Sequence, residues 1–409
     1  MGIAISESQH AKEINLALKN FNSSGPVSIQ ERRSFARPGE EYLMMTPSDP
    51  RQTPSSPPQR TSALATGRIL EILRPLLLTH SPTGHEDEAT AWVQSWLRER
   101  LRQVNVDDAG NVIARAPGTG DRPPVCLIAH KDEIGFIIKR IEPDGKIRIG
   151  RVGGSYPWKY GEGPVDLLGD GDPTPGFLCF GSLHCSAESR DIWDAKNSKN
   201  LTWEVCWVDA KLSCDELASR GVHVGTKGVL SRSRKALVEM EGFVGGFALD
   251  DKALIAVMLA LAEQLADRPA PRDVYLIASA GEEIGSGRAA FAAGNTPAET
   301  FLALEIAPVL PEYGVEASLN PVVMYKDEYN IYDETVCREL EVAAILAGLK
   351  PQRAVLSSFG SDVSFGAKSG RFARYGCIAV PCENTHGYEI VPRESLGALA
   401  RTIDAWLRK

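Results

Sequence analysis

Short apolar runs alternate with longer helical stretches along this chain, and the alternation limits the folds that it can adopt. The runs VCLIAH, EIGFIIKRI, VYLIASA, FLALEIA and CIAVP lack polar alternation, which is typical of strands buried on both faces. The stretches DDKALIAVMLALAEQLAD and ETVCRELEVAAILAGL lie among the later runs and have the length and composition of helices. The pattern predicts an α/β fold, a three-layer domain with helices on both faces of a mixed sheet.

Changes in composition divide the chain into four parts. Residues 1–62 are rich in Pro and Ser, and their closely spaced prolines exclude helix and central strand, so we expect a flexible leader. The α/β pattern occupies residues 63–154 and 244–409. Between them, residues 155–243 are dense in Gly, Pro and short β-like pieces such as LTWEVCWVDA. This region is predicted to be a β-rich domain inserted into the α/β domain.

The charge balance and the cysteines restrict the partners and the compartment. Lys and Arg number 45 against 53 Asp and Glu, a net charge of −8, which disfavours nucleic acid or an anionic membrane as the main partner. No run approaches the ~20 apolar residues of a membrane span, and the N-terminus lacks the apolar core of a secretory signal. Eight cysteines without a C-x-x-C pair indicate reduced thiols and a cytoplasmic location.

Ionisable residues stand where several of the predicted strands end. Ligands of an open α/β sheet bind beyond the carboxyl ends of its strands, so these positions are candidates for a site. They are His130 after VCLIA, Glu282 and Glu283 after VYLIASAG, Glu305 in FLALE, His386 after CIAVPCENT, and Asp250 and Asp251 at a helix start. Imidazoles together with carboxylates match the ligands of zinc, cobalt or manganese and exclude the cysteine cages of structural zinc. One carboxylate bridging two ions is the arrangement found in two-metal hydrolases.

Local spacing suggests roles for some of these acids. Residues two apart on a strand face the same side, so Asp132 could accept a hydrogen bond from a metal-bound His130 and fix its tautomer. Glu282 and Glu283 cannot both point the same way in a regular strand, so one can bind metal while the other serves as general base. A single acid at a strand end is more often a cap or a solvated turn, but five such ends together favour a functional site.

An ordered set of motifs resembles one enzyme family. AHKDEIGF, ALDDK, GEEIGSG and ALE, followed by a late His386, are similar to the dinuclear zinc aminopeptidases of the glutamyl-aminopeptidase and tetrahedral-aminopeptidase type, once also labelled endoglucanases. The likeness runs from the region of Ile69 to the C-terminus. It implies a catalytic α/β domain carrying an inserted β-barrel-like domain, and a homo-oligomer assembled through that insertion.

The resemblance also implies the metal ligands. It makes Asp250 the carboxylate that bridges two ions. His130 and Glu305 would bind one of the ions. Glu283 and His386 would bind the other. The cofactor it implies is two divalent metal ions per chain, with zinc preferred over cobalt or manganese.

Three further residues receive roles from the resemblance. Glu282 would be the general base, and Asp132 would be the acid that orients His130. The stretch from Gly360 to Asp362 looks like a family loop close to the site, which makes Asp362 a candidate for substrate binding.

Several positions depart from the usual pattern of that family. Glu305 stands where Asp is commoner, which keeps the charge and lengthens the side chain by one methylene. Gly281 replaces a usual Gln, and Lys252 replaces a usual Arg. The segment 383–385, Glu-Asn-Thr, replaces one that usually contains Arg. These changes put the substrate preference in doubt more than the chemistry.

The resemblance, together with these residues, implies a metal-dependent aminopeptidase that removes N-terminal residues from short peptides by a metal-activated water. Another amide hydrolysis on the same two-metal site, such as deacylation of a small amino-acid derivative, is the alternative among enzymes. A catalytically silent scaffold of the same fold is the alternative outside them, although no ligand and no base is missing. A sugar hydrolase would need two carboxylates and no metal, and the two histidines speak against it.

Overall fold

The computed structural model describes residues 62–198 and 201–409, so the leader predicted over residues 1–62 lies outside the described residues apart from its last position. The helices, in chain order, are α1 (Thr66–Leu77), α2 (Asp87–Arg98), α3 (Pro157–Tyr160), α4 (Arg190–Ser198), α5 (Cys214–Ser219), α6 (Leu249–Asp267), α7 (Arg288–Ala293), α8 (Glu334–Leu346), α9 (Asp362–Lys368) and α10 (Ser395–Arg408). Short 3-10 turns occupy Arg232–Arg234 and Glu282–Ile284. None of the helices in the described ranges is both long and apolar enough to cross a bilayer.

The strands, also in chain order, are β1 (Gln103–Val106), β2 (Val112–Ala116), β3 (Arg122–His130), β4 (Gly135–Ile141), β5 (Ile147–Val152), β6 (Gly163–Leu168), β7 (Thr174–Cys179), β8 (Trp207–Asp209), β9 (Lys227–Leu230), β10 (Val238–Met240), β11 (Phe243–Gly246), β12 (Arg272–Ser279), β13 (Thr300–Pro308), β14 (Val322–Lys326), β15 (Gln352–Val355), β16 (Tyr375–Cys382) and β17 (Glu389–Pro392). They form an eight-stranded sheet, a closed six-stranded barrel and a small sheet of β10, β11 and β17.

The eight-stranded sheet is mixed, with the order β1-β2-β12-β3-β13-β16-β14-β15. Its four central strands, β12, β3, β13 and β16, run parallel, and antiparallel β2 and β14 flank them. The first eight residues of β13 and the last seven of β16 are buried in succession. Such runs require cover on both faces of the sheet. The predicted three-layer α/β architecture with a mixed sheet is confirmed.

Helix α6 lies at the centre of one covering layer. Every residue from Leu249 to Ala262 is buried, and the helix packs on β3 and β13 and against α1 and α10. A helix that is apolar on nearly every side must be enclosed by other elements. Asp250 and Asp251 in its first turn have non-helical dihedral angles, and the peptide bond between them is cis. Both carboxylates stand at the end of the helix where its dipole favours negative charge.

The barrel has the strand order β4-β5-β8-β7-β6-β9 and a hydrophobic core of its own. Phe136, Tyr160 and Trp203 form the aromatic part of that core, with ring centroids 5.8–6.3 Å apart. This core is separate from the core that packs against the eight-stranded sheet. The insertion is therefore a distinct packing unit.

The barrel begins earlier in the chain than the insertion predicted over residues 155–243. Its first two strands lie within residues 135–152, and its last strand ends at Leu230. The run EIGFIIKRI therefore belongs to the barrel and not to the α/β sheet. Phe136 and Ile138 face the barrel core, whereas Ile137 is half-buried on the other side. An apolar run of this length does not reveal which of two cores will bury it.

A buried charge network connects α6 to the chain that follows the barrel. Glu133 Oε1 accepts hydrogen bonds from Lys235 Nζ at 2.6 Å and from Lys252 Nζ at 3.1 Å, and both lysines are fully buried. Burial lowers the pKa of Lys235 to about 8, although the Glu133 charge opposes the shift. Two ammonium groups thus share one carboxylate oxygen, and all three charged groups are shielded from water.

Replacing Glu133 by Gln should lower the free energy of unfolding by about 3–5 kcal/mol, because both buried ammonium groups lose their charged partner. Urea unfolding in the presence of a chelator measures this change without a contribution from metal binding. Glu142→Gln is the matched control, since the Glu142 carboxylate pairs with Arg140 and Arg148 at the surface and should hardly matter. Superimposable curves for the Glu133 variant and the unmodified protein would contradict the prediction.

Candidate active site

The carboxyl ends of neighbouring parallel strands bring the predicted site residues to one edge of the sheet. His130 ends β3, Glu305 lies within β13, the 282–283 pair follows β12, His386 follows β16, and Asp250 arrives from the start of α6. The expected convergence therefore occurs, and the candidate ligands separate into two groups that share one residue.

The first ligand group consists of His130, Asp250, Asp251 and Glu305, and all four are buried. One ligand atom of each residue lies within 4.8 Å of those of the others. His130 Nε2 is 3.1 Å from Asp250 Oδ1. The backbone N–H of His130 donates to Asp251 Oδ2 over 3.1 Å. An imidazole and several carboxylates at this spacing can surround a single cation.

The second ligand group consists of Asp250, Glu283 and His386, whose ligand atoms also lie within 4.8 Å of one another. His386 Nε2 is 3.4 Å from Asp250 Oδ2 and 3.7 Å from Glu283 Oε2. Asp250 thus offers one carboxylate oxygen to each group.

Asp132 is a buried residue that holds several groups of the site in position. Its backbone carbonyl oxygen is 3.2 Å from His130 Nδ1, and its Oδ1 is 3.5 Å from the same nitrogen. The two oxygens of its carboxylate also accept the backbone N–H groups of Glu282 and Glu283, at 3.1 and 3.3 Å. Thr83 Oγ1 donates a further hydrogen bond of 2.7 Å. One buried carboxylate therefore positions both the imidazole and the turn that carries the two glutamates.

Glu282 lies beside the ligand groups without belonging to either. Its Oε2 is 3.8 Å from His130 Nε2. Burial and the neighbouring acids Asp362 and Glu283 raise the pKa of Glu282 well above its usual range, against the opposing charge of His130. A carboxylate placed in this way can exchange a proton at the edge of a metal site.

The charges of the two groups are suited to cations. Burial, followed by the charges of Asp251 and Glu282, raises the pKa of Glu305 well above its usual range. Burial also raises the pKa of Glu283 to about 7, although His386 opposes the shift. Asp251 Oδ1 is buried without a hydrogen-bond partner among the described residues. Crowded, partly unpartnered oxygens together with two imidazole nitrogens fit divalent cations, which would offset the negative charge.

A groove of about 1230 Å³ opens onto the site and reaches His130, Asp250, the two glutamates and His386. Tyr156 and Trp158 line it on the barrel side, and Tyr329 and Phe365 line it on the sheet side. This volume exceeds that of most small-molecule pockets, so the groove can receive an extended chain.

The sequence profile of the M42 glutamyl aminopeptidases matches residues 110–401, a range that contains every member of both ligand groups. The chain belongs to the M42 glutamyl aminopeptidase family. It is therefore a peptidase, and membership of this family supports a metal-dependent aminopeptidase. The resemblance drawn from the motifs is confirmed, and the silent-scaffold alternative is not supported.

Individual relatives agree with this family. The YhfE protein of Bacillus subtilis, whose name calls it a candidate aminopeptidase, is 25% identical over 351 residues, covering 82% of this chain and 96% of YhfE. The lysyl aminopeptidase of Pyrococcus furiosus is 27% identical over 238 residues, covering 58% of this chain and 66% of that protein. The solved structure of the TET1 peptidase of Pyrococcus horikoshii has a TM-score of 0.73 at 22% identity, covering 83% of this chain and 99% of that chain. The last likeness shows the shared fold.

Two further acids of this M42 chain belong to the candidate site, although the sequence patterns assign them no role. Asp251 follows the predicted ligand Asp250 in the chain, and its carboxylate belongs to the first ligand group. Glu389 belongs to none of the motifs. Its two oxygens accept the backbone N–H groups of Asp250 and His386, each at 3.0 Å. The only sequence signal for Glu389 was an acid preceding the short apolar run IVP.

Asp362, the candidate for substrate binding, is held inside the protein by a hydrogen bond. Its carboxylate is buried at the start of α9 and accepts a hydrogen bond from Ser279 Oγ. Gly360 of the same loop lines the groove, whereas Asp362 is not part of the lining in the described chain. The Asp362 carboxylate is directed at the end of β12, and its contact with substrate stays a prediction.

The positions that depart from the M42 pattern differ in their exposure to substrate. Lys252 points into the charge network, where its Nζ donates to the carbonyl oxygen of Thr79 at 2.8 Å. Gly281 has φ of +70°, and a Cβ there would lie 2.5 Å from Ser286 Oγ, so a side chain at this turn would be strained and would displace Ser286. Thr385 lines the groove, whereas Glu383 pairs through its backbone with Ile390. Of the replaced segment 383–385, Thr385 is therefore the position that lines the groove.

Proposed function

We propose that this protein is a two-metal aminopeptidase that removes the N-terminal residue of short peptides, with Glu282 as the general base. The position of Asp250 carries the proposal, because its Oδ1 faces His130 at 3.1 Å and its Oδ2 faces His386 at 3.4 Å. A carboxylate shared in this way can bridge two ions. Glu282, outside both ligand groups, remains free for proton transfer.

The nitrogen and oxygen donors suggest which residues would hold which ion. His130 and Glu305 would hold one ion, with Asp251 as an additional oxygen donor. Glu283 and His386 would hold the other, and Asp250 would contact both. Zinc suits such a mixed set, and cobalt or manganese could replace it.

The chain's own residues would transfer the protons of the reaction and hold the reacting groups in place. The chemistry that two divalent ions would supply when held by these residues is Lewis acidity, for the scissile carbonyl group and for the attacking water. Glu282 takes a proton from that water and later delivers it to the leaving amine. Asp132 keeps Glu282 in place by accepting its backbone N–H, and it keeps Glu283 in place in the same way. The groove holds the peptide while these transfers occur.

Removal of metal should abolish the release of N-terminal residues, because both the carbonyl group and the water lose their activation. The measurement uses a panel of aminoacyl chromogenic substrates and short peptides before and after treatment with a chelator, followed by addition of zinc. Full activity in protein shown by elemental analysis to be free of metal would contradict the mechanism. Hydrolysis of N-acylated amino acids, without hydrolysis of aminoacyl substrates, would favour the deacylase alternative.

We also infer that the protein forms a homo-oligomer through its barrel. The related peptidase of Pyrococcus horikoshii assembles into a tetrahedron or an octahedral shell. Phe177, Leu183 and Val224 of the barrel segment expose 51%, 65% and 62% of their surface, as interface residues often do in an isolated chain. Light scattering should give a mass that is a multiple of 44.4 kDa, and a stable monomer at micromolar concentration would contradict this inference.

The proposed compartment is the cytoplasm. All eight cysteines are free thiols, and five of them are buried. Unpaired thiols are typical of proteins that work under reducing conditions.

A further inference from the structure

We propose that the barrel positions His386 through Gly154 and Lys159, so that binding of the ion assigned to Glu283 and His386 depends on the barrel. This inference rests on the proposed two-metal site. It assigns the barrel a role inside each subunit, in addition to any role in assembly.

His386 is the candidate ligand that most needs support from outside its own loop. Its side chain is 37% exposed, compared with 2% for His130 and 4% for Glu283. It lies in the loop between β16 and β17, where Asn384 and His386 have φ of +60° and +56°. Residues other than glycine keep such a backbone only when surrounding contacts hold it.

Gly154 holds the imidazole ring of His386. Its carbonyl oxygen lies 3.2 Å from His386 Nδ1, so it can accept the proton of that nitrogen and leave Nε2 directed at Asp250 and Glu283. A hydrogen bond of this kind fixes both the tautomer and the orientation of a metal-binding histidine. The contact is close, because a Cβ at position 154 would lie 2.5 Å from Nδ1.

Lys159 holds the loop that carries His386. Its Nζ donates to the carbonyl oxygen of Asn384 at 3.1 Å and also to the Oδ1 of that residue. The Asn384 side chain in turn donates to the carbonyl oxygen of Tyr388 at 2.7 Å. Lys159 therefore holds the loop at Asn384, two residues before His386. The Asn384 side chain in turn connects Lys159 to the other end of the turn at Tyr388.

The segment from Gly154 to Tyr160 is itself anchored in the barrel. Ser155 is buried, donates through Oγ to the carbonyl oxygen of Gly135 at 2.9 Å, and accepts the Trp203 indole N–H at 3.0 Å. Tyr160, next to Lys159, packs in the barrel core and accepts the backbone N–H of Leu230 at 3.1 Å. Because both ends of the segment are fixed, Gly154 and Lys159 present their contacts from a rigid support.

The test is a calorimetric zinc titration of the full chain after removal of metal. The unmodified protein should bind two ions. Lys159→Met should leave the first binding event unchanged and weaken the second by about 10–100-fold, the usual effect of losing a group that orients a ligand. Lys159→Arg, which keeps the charge and the donors, should restore most of the affinity. Lys146→Met, at an exposed ion pair of the barrel with Asp144, is the matched control and should bind both ions normally.

Gly154→Ala provides a second test, because the added methyl group must displace the His386 ring while the backbone conformation at 154 accepts alanine. It should also weaken only the second binding event. Two normal binding events in both the Lys159→Met and the Gly154→Ala variants would overturn this inference and leave the two-metal proposal intact. Loss of both ions together with a lower unfolding temperature of the metal-free protein would indicate general damage and would also overturn it. A single ion in the unmodified protein would contradict the two-metal site itself.

Discussion

Glu282→Gln should reduce the hydrolysis of an aminoacyl substrate by about two to four orders of magnitude while two ions per chain remain bound. Glutamine has the size of glutamate but cannot accept the proton of the attacking water. The side chain should stay in place, because the backbone N–H of residue 282 still donates to Asp132 at 3.1 Å. Metal analysis together with kcat on one chromogenic substrate measures both parts of the prediction.

Glu283→Gln is the matched comparison, since the same chemical change is made one residue further along the turn. It should remove one ion, because Glu283 belongs to the second ligand group and lies 3.7 Å from His386. If the Glu282 variant lost metal and the Glu283 variant kept both ions, the roles assigned to the two glutamates would be reversed.

Asp250→Asn should abolish binding of both ions and, with it, all measurable peptidase activity. Asp250 is the one residue present in both ligand groups, and its two oxygens are directed at different imidazoles. Asparagine preserves the volume of the side chain but removes the charge and one of the two oxygens. Zinc titration of the metal-free variant, followed by a peptide assay, gives the result directly.

Variants of the unshared ligands separate the two sites. Glu305→Gln should weaken only the ion at the first ligand group, and His386→Ala only the ion at the second. Asp144→Asn is the control for Asp250→Asn, because it makes the same chemical change on an exposed hairpin of the barrel. This variant should bind both ions. Two ions bound with unchanged affinity by the Asp250 variant would show that this carboxylate does not bridge them.

The fold could be predicted from the sequence wherever a pattern of neighbouring residues was enough to identify a strand or a helix. The apolar runs of β3, β12, β13 and β16 are buried over consecutive residues, so they could be recognised as central strands without knowing their neighbours. The start of the barrel could not be located in the same way. The run that forms β4 is as apolar as β3, and only its partners β5 and β9 show that it belongs to the barrel core.

The candidate site shows a similar division. Four of the site residues, His130, Glu282, Glu283 and His386, end or follow strands that lie side by side, and Glu305 lies in the second half of β13 in the same sheet. The general rule for parallel sheets was sufficient to bring them together. Asp362 follows no such strand, and its carboxylate turns inward to Ser279, so its role in substrate binding stays a prediction.

The sequence by itself determined the types of ligand, their order in the chain and the membership of an aminopeptidase family. The tertiary structure decided which candidate ligands lie together in each group, which acids support them and which part of the barrel reaches the site. Glu389 holds the backbone of Asp250 across 139 positions, and Gly154 holds the ring of His386 across 232. Contacts at such separations depend on how two cores pack against each other, and no local pattern of residues encodes that arrangement.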